Sequence, residues 1–401
     1  MAKIRDPKMD TKDKIAIVGG GIGGLTMALT LKKNNQDFKL FEKSNEFKEV
    51  GAGIGLASNA LKIFDKLNIG EELRTKGHLL KRTILATKKL KILKTVPFPE
   101  EVYCIHRASI IDVISSKLDQ NSYELGKEVK SIENEESVKI TFKDHTAIEF
   151  DTLIASDGIN STIRKSIFPE IRIRHTHQII WRGITDFDIN SDLKHTYYEL
   201  FEGTLRFLFL PLNDTKIFWL AVQEKKNFNK GVSTSLKSYL LETYQNFAPI
   251  VLDMLNKTTE SDILQNELVD INPSYKNWFK NNTVFIGDAI HATTPNLAQG
   301  ACQAIEDAYT LGLCLKNNTN TAFSEYQNIR SKKVKYIVKQ SWKIGKMSMT
   351  NTSFQKKLLL LLLRLLPKKQ YQKRFNRIIN IEYLGTLEHI ASGNTKPIED
   401  I

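Results

Sequence analysis

The segment Lys14-Ile-Ala-Ile-Val18 runs directly into Gly19-Gly-Gly21-Ile-Gly-Gly24, and no other feature restricts the fold so strongly. The apolar run is short enough for a buried parallel strand. Leu25-Thr-Met-Ala-Leu-Thr-Leu31 after the glycines reads as a helix. Phe38-Lys-Leu-Phe41 reads as a second strand and ends at Glu42, eighteen residues beyond Gly24. Strand, glycine turn, helix, strand and acid in that order describe a βαβ unit. Gly19 permits the tight turn, Gly21 lets backbone approach a pyrophosphate, and Gly24 lets the helix pack on the strand. The helix N-terminus then aims free N–H groups and its positive end at the phosphates. Glu42 stands near the spacing of a carboxylate that grips ribose hydroxyls. A dinucleotide site is the reading; a purely structural turn and a solvated strand-end acid are the alternatives.

Residues 60–73 have helical spacing. Between 83 and 150, short strand-like runs alternate with one helix near 109–118; Val138-Lys-Ile-Thr-Phe142 alternates inside and outside. From about 178 to 222 the pattern turns to β: 197–200, 205–210 and 217–222 read as strands of a mostly antiparallel sheet, joined at Glu202-Gly203 and Asn213-Asp214. Helical character returns at 236–247, and a last apolar strand at 283–286 meets Gly287-Asp288 before a helical remainder. The expected fold is α/β: a Rossmann-like βαβ domain, an inserted, mostly antiparallel β substrate domain and a helical C-terminus. The expected limits are a polar tail at 1–13, a cofactor domain at 14–177 with short inserted segments, a β-rich substrate domain at 178–275, a second cofactor segment at 276–325 and a helical region at 326–401.

The net charge of +13, from 58 basic and 45 acidic residues, raises the question of nucleic acid. Residues 354–380 hold Lys356, Lys357, Arg364, Lys368, Lys369, Lys373, Arg374 and Arg377 and no acid, so the excess is local. No zinc-finger spacing or RNA-binding aromatic signature accompanies it, and no nucleic-acid partner is expected. The three cysteines, Cys104, Cys302 and Cys314, offer neither a disulfide framework nor a metal spacing, which fits a reducing compartment. The first residues lack the apolar stretch of a signal peptide. No run approaches the roughly 20 apolar residues of a membrane span. The expected location is the cytoplasm.

The βαβ unit alone does not choose between NAD and FAD. Four further segments resemble the group A FAD-dependent monooxygenases, especially the salicylate-hydroxylase-like branch of aromatic-ring hydroxylases. Val50-Gly51-Ala-Gly53-Ile54 with Asn59-Ala60-Leu61 resembles that family's loop beside the cofactor. His106-Arg107 resembles its His-Arg motif, and Asp151-Thr-Leu-Ile-Ala-Ser-Asp157-Gly158 its aspartate-glycine motif. Gly287-Asp288-Ala-Ile-His291 through Pro295, Gln299-Gly300 and Glu306-Asp307-Ala308 resembles its second FAD motif nearly throughout. The resemblance implies an enzyme that binds FAD non-covalently and takes electrons from NADH or NADPH as co-substrate. It would insert one atom of O2 into a small aromatic or apolar substrate, polycyclic or polyene, through a flavin hydroperoxide. Gly19, Gly21, Gly24, Glu42, Gly53, Arg107, Asp157, Asp288, Pro295 and Gly300 would hold FAD. Two other classes stay open: a flavin-dependent reductase or dehydrogenase of a lipid-like substrate, and an FAD-binding regulatory protein without turnover.

The segment around Asp288 also makes sense unaided. Its strand delivers Asp288 to a C-terminal sheet edge, where ligands bind in open α/β sheets and a carboxylate can accept from ribityl hydroxyls. Pro295 can line a flavin face without an unsatisfied N–H, and the amides near Gly300 suit an anionic pyrimidine edge. His291, Glu306 and Asp307 fit structural and functional roles equally. Arg182 resembles a family position at the substrate-domain boundary. Relatives commonly carry a histidine just before a Tyr-Pro pair, able to deprotonate a phenol; the matching stretch here is Phe207-Leu-Phe209-Leu210-Pro211, with Phe209 in its place. No catalytic residue is therefore assigned. Arg182, Phe207, Phe209 and Trp219 are the expected substrate set, for a bulky apolar molecule, although strand alternation means not all of them face it. The six leucines after Lys357 would surround a helix rather than form one stripe; a packed C-terminal helix and a weak peripheral membrane contact both fit.

Overall fold

The computed structural model describes residues 15–47, 53–228, 235–318, 320–349, 352–365 and 367–392. The expected polar tail at 1–13, Lys14 and the Val50-Gly51 part of the cofactor loop lie outside these residues.

The first sheet runs, in spatial order, Phe279–Lys280, Thr283–Phe285, Thr152–Ala155, Ile15–Val18, Phe38–Phe41 and Tyr123–Glu124. Ile15–Val18 pairs in parallel with both neighbours, which demands crossover connections rather than hairpins. One crossover is the helix Ile22–Lys33, buried at every position from Ile22 to Leu31. It is apolar all round because it is covered on both sides, by the sheet and by the helix Gly300–Asn317. Gly312 permits the close crossing, since a Cβ there would lie 2.4 Å from Thr30 Cγ2.

The second sheet has eight strands: Leu264–Ile271, Ile173–Asp186, Lys216–Glu224, Leu205–Pro211, Thr196–Glu202, Gly77–Thr87, Ile92–His106 and Gly53–Ala57. All neighbours are antiparallel except Thr196–Glu202 with Gly77–Thr87. The sheet therefore draws three strands from the region assigned to the cofactor domain. Its outer face packs on the helices Leu236–Tyr244 and Pro249–Lys257 to form a separate apolar core. Val138–Phe142, in a small third sheet, shows the expected alternation of buried and accessible positions.

Residues 60–73 form two helices, Ser58–Lys66 and Gly70–Lys76, because Asn68 takes a left-handed turn with φ 60°. The C-terminal part contributes Ala322–Met347, Ser353–Leu365, Lys368–Ile379 and Tyr383–Ala391. The first and last of these pack on Gly300–Asn317. Among the described residues, no helix is long and apolar enough to cross a membrane, and no cluster of histidine, cysteine or acid could hold a metal ion. The three cysteines are buried and free, with burial pushing each thiol up to about 12.

Candidate functional site

Three loops meet at the carboxyl ends of the parallel strands. In the first, Gly19 has φ 108°, and a Cβ there would lie 2.3 Å from the Ser156 carbonyl oxygen. A Cβ on Gly24 would lie 1.9 Å from the Gly19 carbonyl oxygen. Gly21 differs: among the described residues beyond its own turn, no atom lies within 4 Å of the position its Cβ would take. Gly19 and Gly24 are demanded by the turn itself, whereas Gly21 borders open space. Glu42 Oε2 accepts from Gly20 N at 2.6 Å and Oε1 from Ser44 N at 2.9 Å, which fixes the carboxylate beside the turn.

The helices Ile22–Lys33 and Gly300–Asn317 each begin without a side-chain cap and without an acid in the first turn. Gly23 lies against Ala304 and Gly312 against Thr30, so the two run parallel with both N-termini at one end. Two sets of N–H groups, each at the positive end of a helix, are thus offered side by side.

In the second loop, Asp157 Oδ2 accepts from Ile163 N at 3.3 Å, while its buried Oδ1 has no partner among the described residues. Burial raises its pKa. Arg164, fully buried, donates to Ile159 O at 2.5 Å and Ala289 O at 2.7 Å and so ties the second loop to the third.

The third loop follows Thr283–Phe285. Gly287 turns it at φ 58°, and Asp288 comes next. The Asp288 carboxylate is open to solvent, yet enough protein surrounds it for desolvation to raise its pKa. Both are marks of a group on the wall of a deep recess. Arg107, at the head of the helix Arg107–Ser115, lies within electrostatic reach of Asp288 and of Arg182, and burial lowers its pKa. Pro295 is exposed, and Gly300 opens its helix. Gly53 has a packing role, since a Cβ there would lie 2.7 Å from the Phe218 ring.

Asp307 and Glu306, whose roles the sequence leaves open, are buried partners of an ion network. Asp307 accepts from Gly287 N at 2.9 Å, His291 Nε2 at 2.5 Å and Arg330 Nε at 2.8 Å. Burial alone would raise this carboxyl, but His291 and Arg330 outweigh it and hold the pKa at about 2. Glu306 accepts from Asn59 Nδ2 and Arg330 Nη1, both at 2.5 Å, and from Lys333 Nζ at 2.8 Å. The network positions the Asp288 turn without entering the recess, and His291 belongs to it.

An acceptor left open on Asp157, a carboxylate on the recess wall, open space at Gly21 and two uncapped helix N-termini together fit FAD. Its ribityl and ribose hydroxyls need acceptors, and its pyrophosphate needs N–H donors.

The substrate side departs from expectation. Arg182 pairs with Leu220, which pairs with Leu208. Gly183 pairs with Trp219, which pairs with Phe209. Neighbouring residues of a strand point to opposite faces, and paired residues share one. Phe207, Phe209 and Trp219 therefore face away from Arg182. They are buried in the outer core with Tyr244, Val251 and Met254, where Trp219 Nε1 donates to Thr258 Oγ1 at 2.9 Å. The inner face carries Ile184, Leu208, Leu210, Phe218 and Leu220 beside Arg182, with Tyr197 on the adjacent strand. Arg182 Nη2 donates to Asn266 Oδ1 at 2.6 Å, and its buried Nε has no hydrogen-bond partner among the described residues. Strand alternation anchored on Arg182 is the signal that would have found this set.

A family profile described as FAD binding domain matches residues 12–341. Among curated proteins, the chain is 26% identical over 358 residues to an aurachin C monooxygenase/isomerase of Stigmatella aurantiaca, covering 86% of this chain and 92% of that one. It is 25% identical over 377 residues to a 2-heptyl-3-hydroxy-4(1H)-quinolone synthase of Pseudomonas aeruginosa, covering 91% and 97%. Among solved structures, Klebsiella pneumoniae HpxO complexed with FAD and uric acid superposes with a TM-score of 0.83 at 22% identity, covering 92% of this chain and 97% of that one.

Proposed function

The chain belongs to the FAD binding domain family, as a member of its FAD-dependent monooxygenases, and from that premise we propose that it oxygenates an aromatic molecule with an apolar tail, of the alkylquinolone kind, using NADH or NADPH in the cytoplasm. The observation that carries the substrate reading is the inner sheet face beside Arg182: Ile184, Leu208, Leu210, Phe218 and Leu220 make this part apolar, the Glu199–Arg206 ion pair lies on the same face, and the strands Leu205–Pro211 and Lys216–Glu224 carry no histidine. Two relatives bear names that fit, one a quinolone synthase and one an aurachin C monooxygenase.

When bound, FAD supplies hydride acceptance and oxygen activation. In this reading Gly19, Gly21, Gly24 and Glu42 hold its adenosine and pyrophosphate end. Arg107, Asp157, Asp288, Pro295 and Gly300 hold the remainder. The apolar wall excludes water from the reacting centre. Burial raises the Tyr197 hydroxyl well above its ordinary range, so it stays protonated and can donate a hydrogen bond but cannot take a proton from substrate. Glu199 and Arg206 share this wall but neutralise each other in an ion pair; Arg182, within electrostatic reach of Arg107, is suited to a carbonyl or an enolate-like oxygen.

The test is product analysis with oxygen-uptake and NAD(P)H-consumption measurements on the purified yellow protein. An alkylquinolone should yield a product heavier by one oxygen, in step with NAD(P)H use, while salicylate should yield chiefly hydrogen peroxide. Stoichiometric dihydroxylated product from salicylate would restore a phenol hydroxylase. Turnover without oxygen uptake would make the protein a reductase, and FAD that NAD(P)H never bleaches would make it a binding protein.

A further inference from the structure

The helix Ser353–Leu365 and its neighbours present a surface that neither the cofactor recess nor the substrate wall uses. The leucine run surrounds the helix, as six successive positions require, and the structure divides it into a packed face and an outward face. Leu359 packs on Leu85 and Phe201 of the substrate sheet, with Leu360 and Leu363 beside it. Phe354, Leu358, Leu361, Leu362 and Leu365 stay outside, with Phe354 74% and Leu365 65% exposed. At one residue per 100°, these five fall within an arc of about 100°, so they form a single outward stripe. The inner face is fastened by packing and by the ion pair of Lys356 with Glu202 at 2.6 Å. The helix therefore lies flat on the protein with its second apolar face turned to solvent.

Positive charge frames that stripe. Lys357 and Arg364 line one edge of it on the same helix, and Lys368, Lys369, Lys373 and Arg374 follow on Lys368–Ile379, all exposed. None of these six forms an ion pair with a described residue, and no acid occurs between residues 354 and 380. The strand Ile92–His106 runs beneath: Lys94 Nζ lies 3.5 Å from Arg364 O, and Phe98 packs on Phe375. At its start Ile92 is 58% exposed next to the exposed Lys91.

We propose that this face docks the protein on an anionic lipid surface, the leucine stripe entering the headgroup boundary and the surrounding lysines and arginines meeting acidic headgroups. An amphipathic helix fixed parallel to a surface, apolar outward and rimmed by cations, has the form of an in-plane membrane anchor. A nucleic acid would use the cations and leave the leucines in water. A protein partner or a second copy of this chain would have to supply matching acids along the whole rim. The lipid surface satisfies both halves of the pattern at once.

Flotation of the full-length FAD-loaded protein with phosphatidylcholine vesicles, with and without phosphatidylglycerol, tests this. Binding should require phosphatidylglycerol and fade at high salt. Leu361→Gln/Leu362→Gln and Lys368→Glu/Lys369→Glu should each lower the bound-to-free ratio about tenfold, with FAD content unchanged as the check on folding. Absence of binding to phosphatidylglycerol vesicles, or binding that both double variants retain, would overturn the proposal. So would a dimer in sedimentation that Leu361→Gln/Leu362→Gln dissolves while vesicles bind nothing, or capture of an oligonucleotide in place of vesicles.

Discussion

Asp288 and Asp307 are both carboxylates of the same turn region, and their surroundings separate their tasks. Asp307 is fully buried and answers three donors, so removing it leaves the Arg330 Nε–H and the Gly287 N–H without a partner in the core. Breaking a buried ion pair from one side costs about 3–5 kcal/mol. Asp307→Ala should therefore destabilise the FAD-free protein by that amount in urea denaturation. Asp288 faces the recess, and no described residue donates a hydrogen bond to its carboxylate; its work is on the cofactor. Asp288→Ala should leave the FAD-free protein within about 0.5 kcal/mol of the parent while sharply lowering FAD occupancy, read from the flavin absorbance after gel filtration. An Asp288→Ala protein that keeps its flavin would remove this residue from the cofactor site.

The strand-turn-helix element divides its glycines in the same manner. Gly24→Ala would drive a Cβ to 1.9 Å from the Gly19 carbonyl, a clash with backbone that can relax only by moving the helix. Overpacking of that kind costs about 1–3 kcal/mol, and the melting temperature of the FAD-free protein should fall. Gly21→Ala meets no described atom beyond its own turn and sits at φ −72°, which alanine adopts freely. It should leave the melting temperature in place and weaken FAD about tenfold or more, since the methyl would occupy space meant for phosphate. Equal loss of stability in both variants would show that Gly21 is also a packing glycine. This element was legible in the sequence because its glycine spacing has one mechanical solution. The substrate strands were not. Leu205–Pro211 is buried at six of its seven positions, since both sheet faces are covered, and a strand buried on both sides carries no alternation to read. Phe207 and Phe209 were drawn to the substrate by their size. Phe207 instead stacks with Trp219 of the next strand and meets Tyr244 of the helix Leu236–Tyr244, in the outer core.

At the scale of the whole molecule, the helices Ala322–Met347 and Tyr383–Ala391 pack on Gly300–Asn317 of the cofactor domain and are not an appendage. Residues 326–401 read from sequence as a separate helical region, because ion pairs formed across long stretches of chain leave no local mark. In the structure Tyr383 and Lys333 both reach Glu306, and Arg330 spans Glu306 and Asp307. Glu388 accepts from Tyr309 at 2.7 Å and Lys66 at 2.6 Å. Leu384 and Leu387 are buried against the same core. Burying a leucine or isoleucine contributes about 1.5–3 kcal/mol, so Ile378, Ile379, Leu384 and Leu387, all buried in that core, together reach the 5–15 kcal/mol that typically holds a domain folded. A chain ended after residue 351 should therefore fail to fold around FAD, although every motif of the cofactor family remains in it. Its circular dichroism should show no cooperative thermal transition at the parent's temperature, and it should emerge from purification without flavin. A shortened chain that keeps both the yellow colour and the parent's melting temperature would make the Tyr383–Ala391 helix dispensable, leaving the turn at Asp288 to be held from Ala322–Met347 alone.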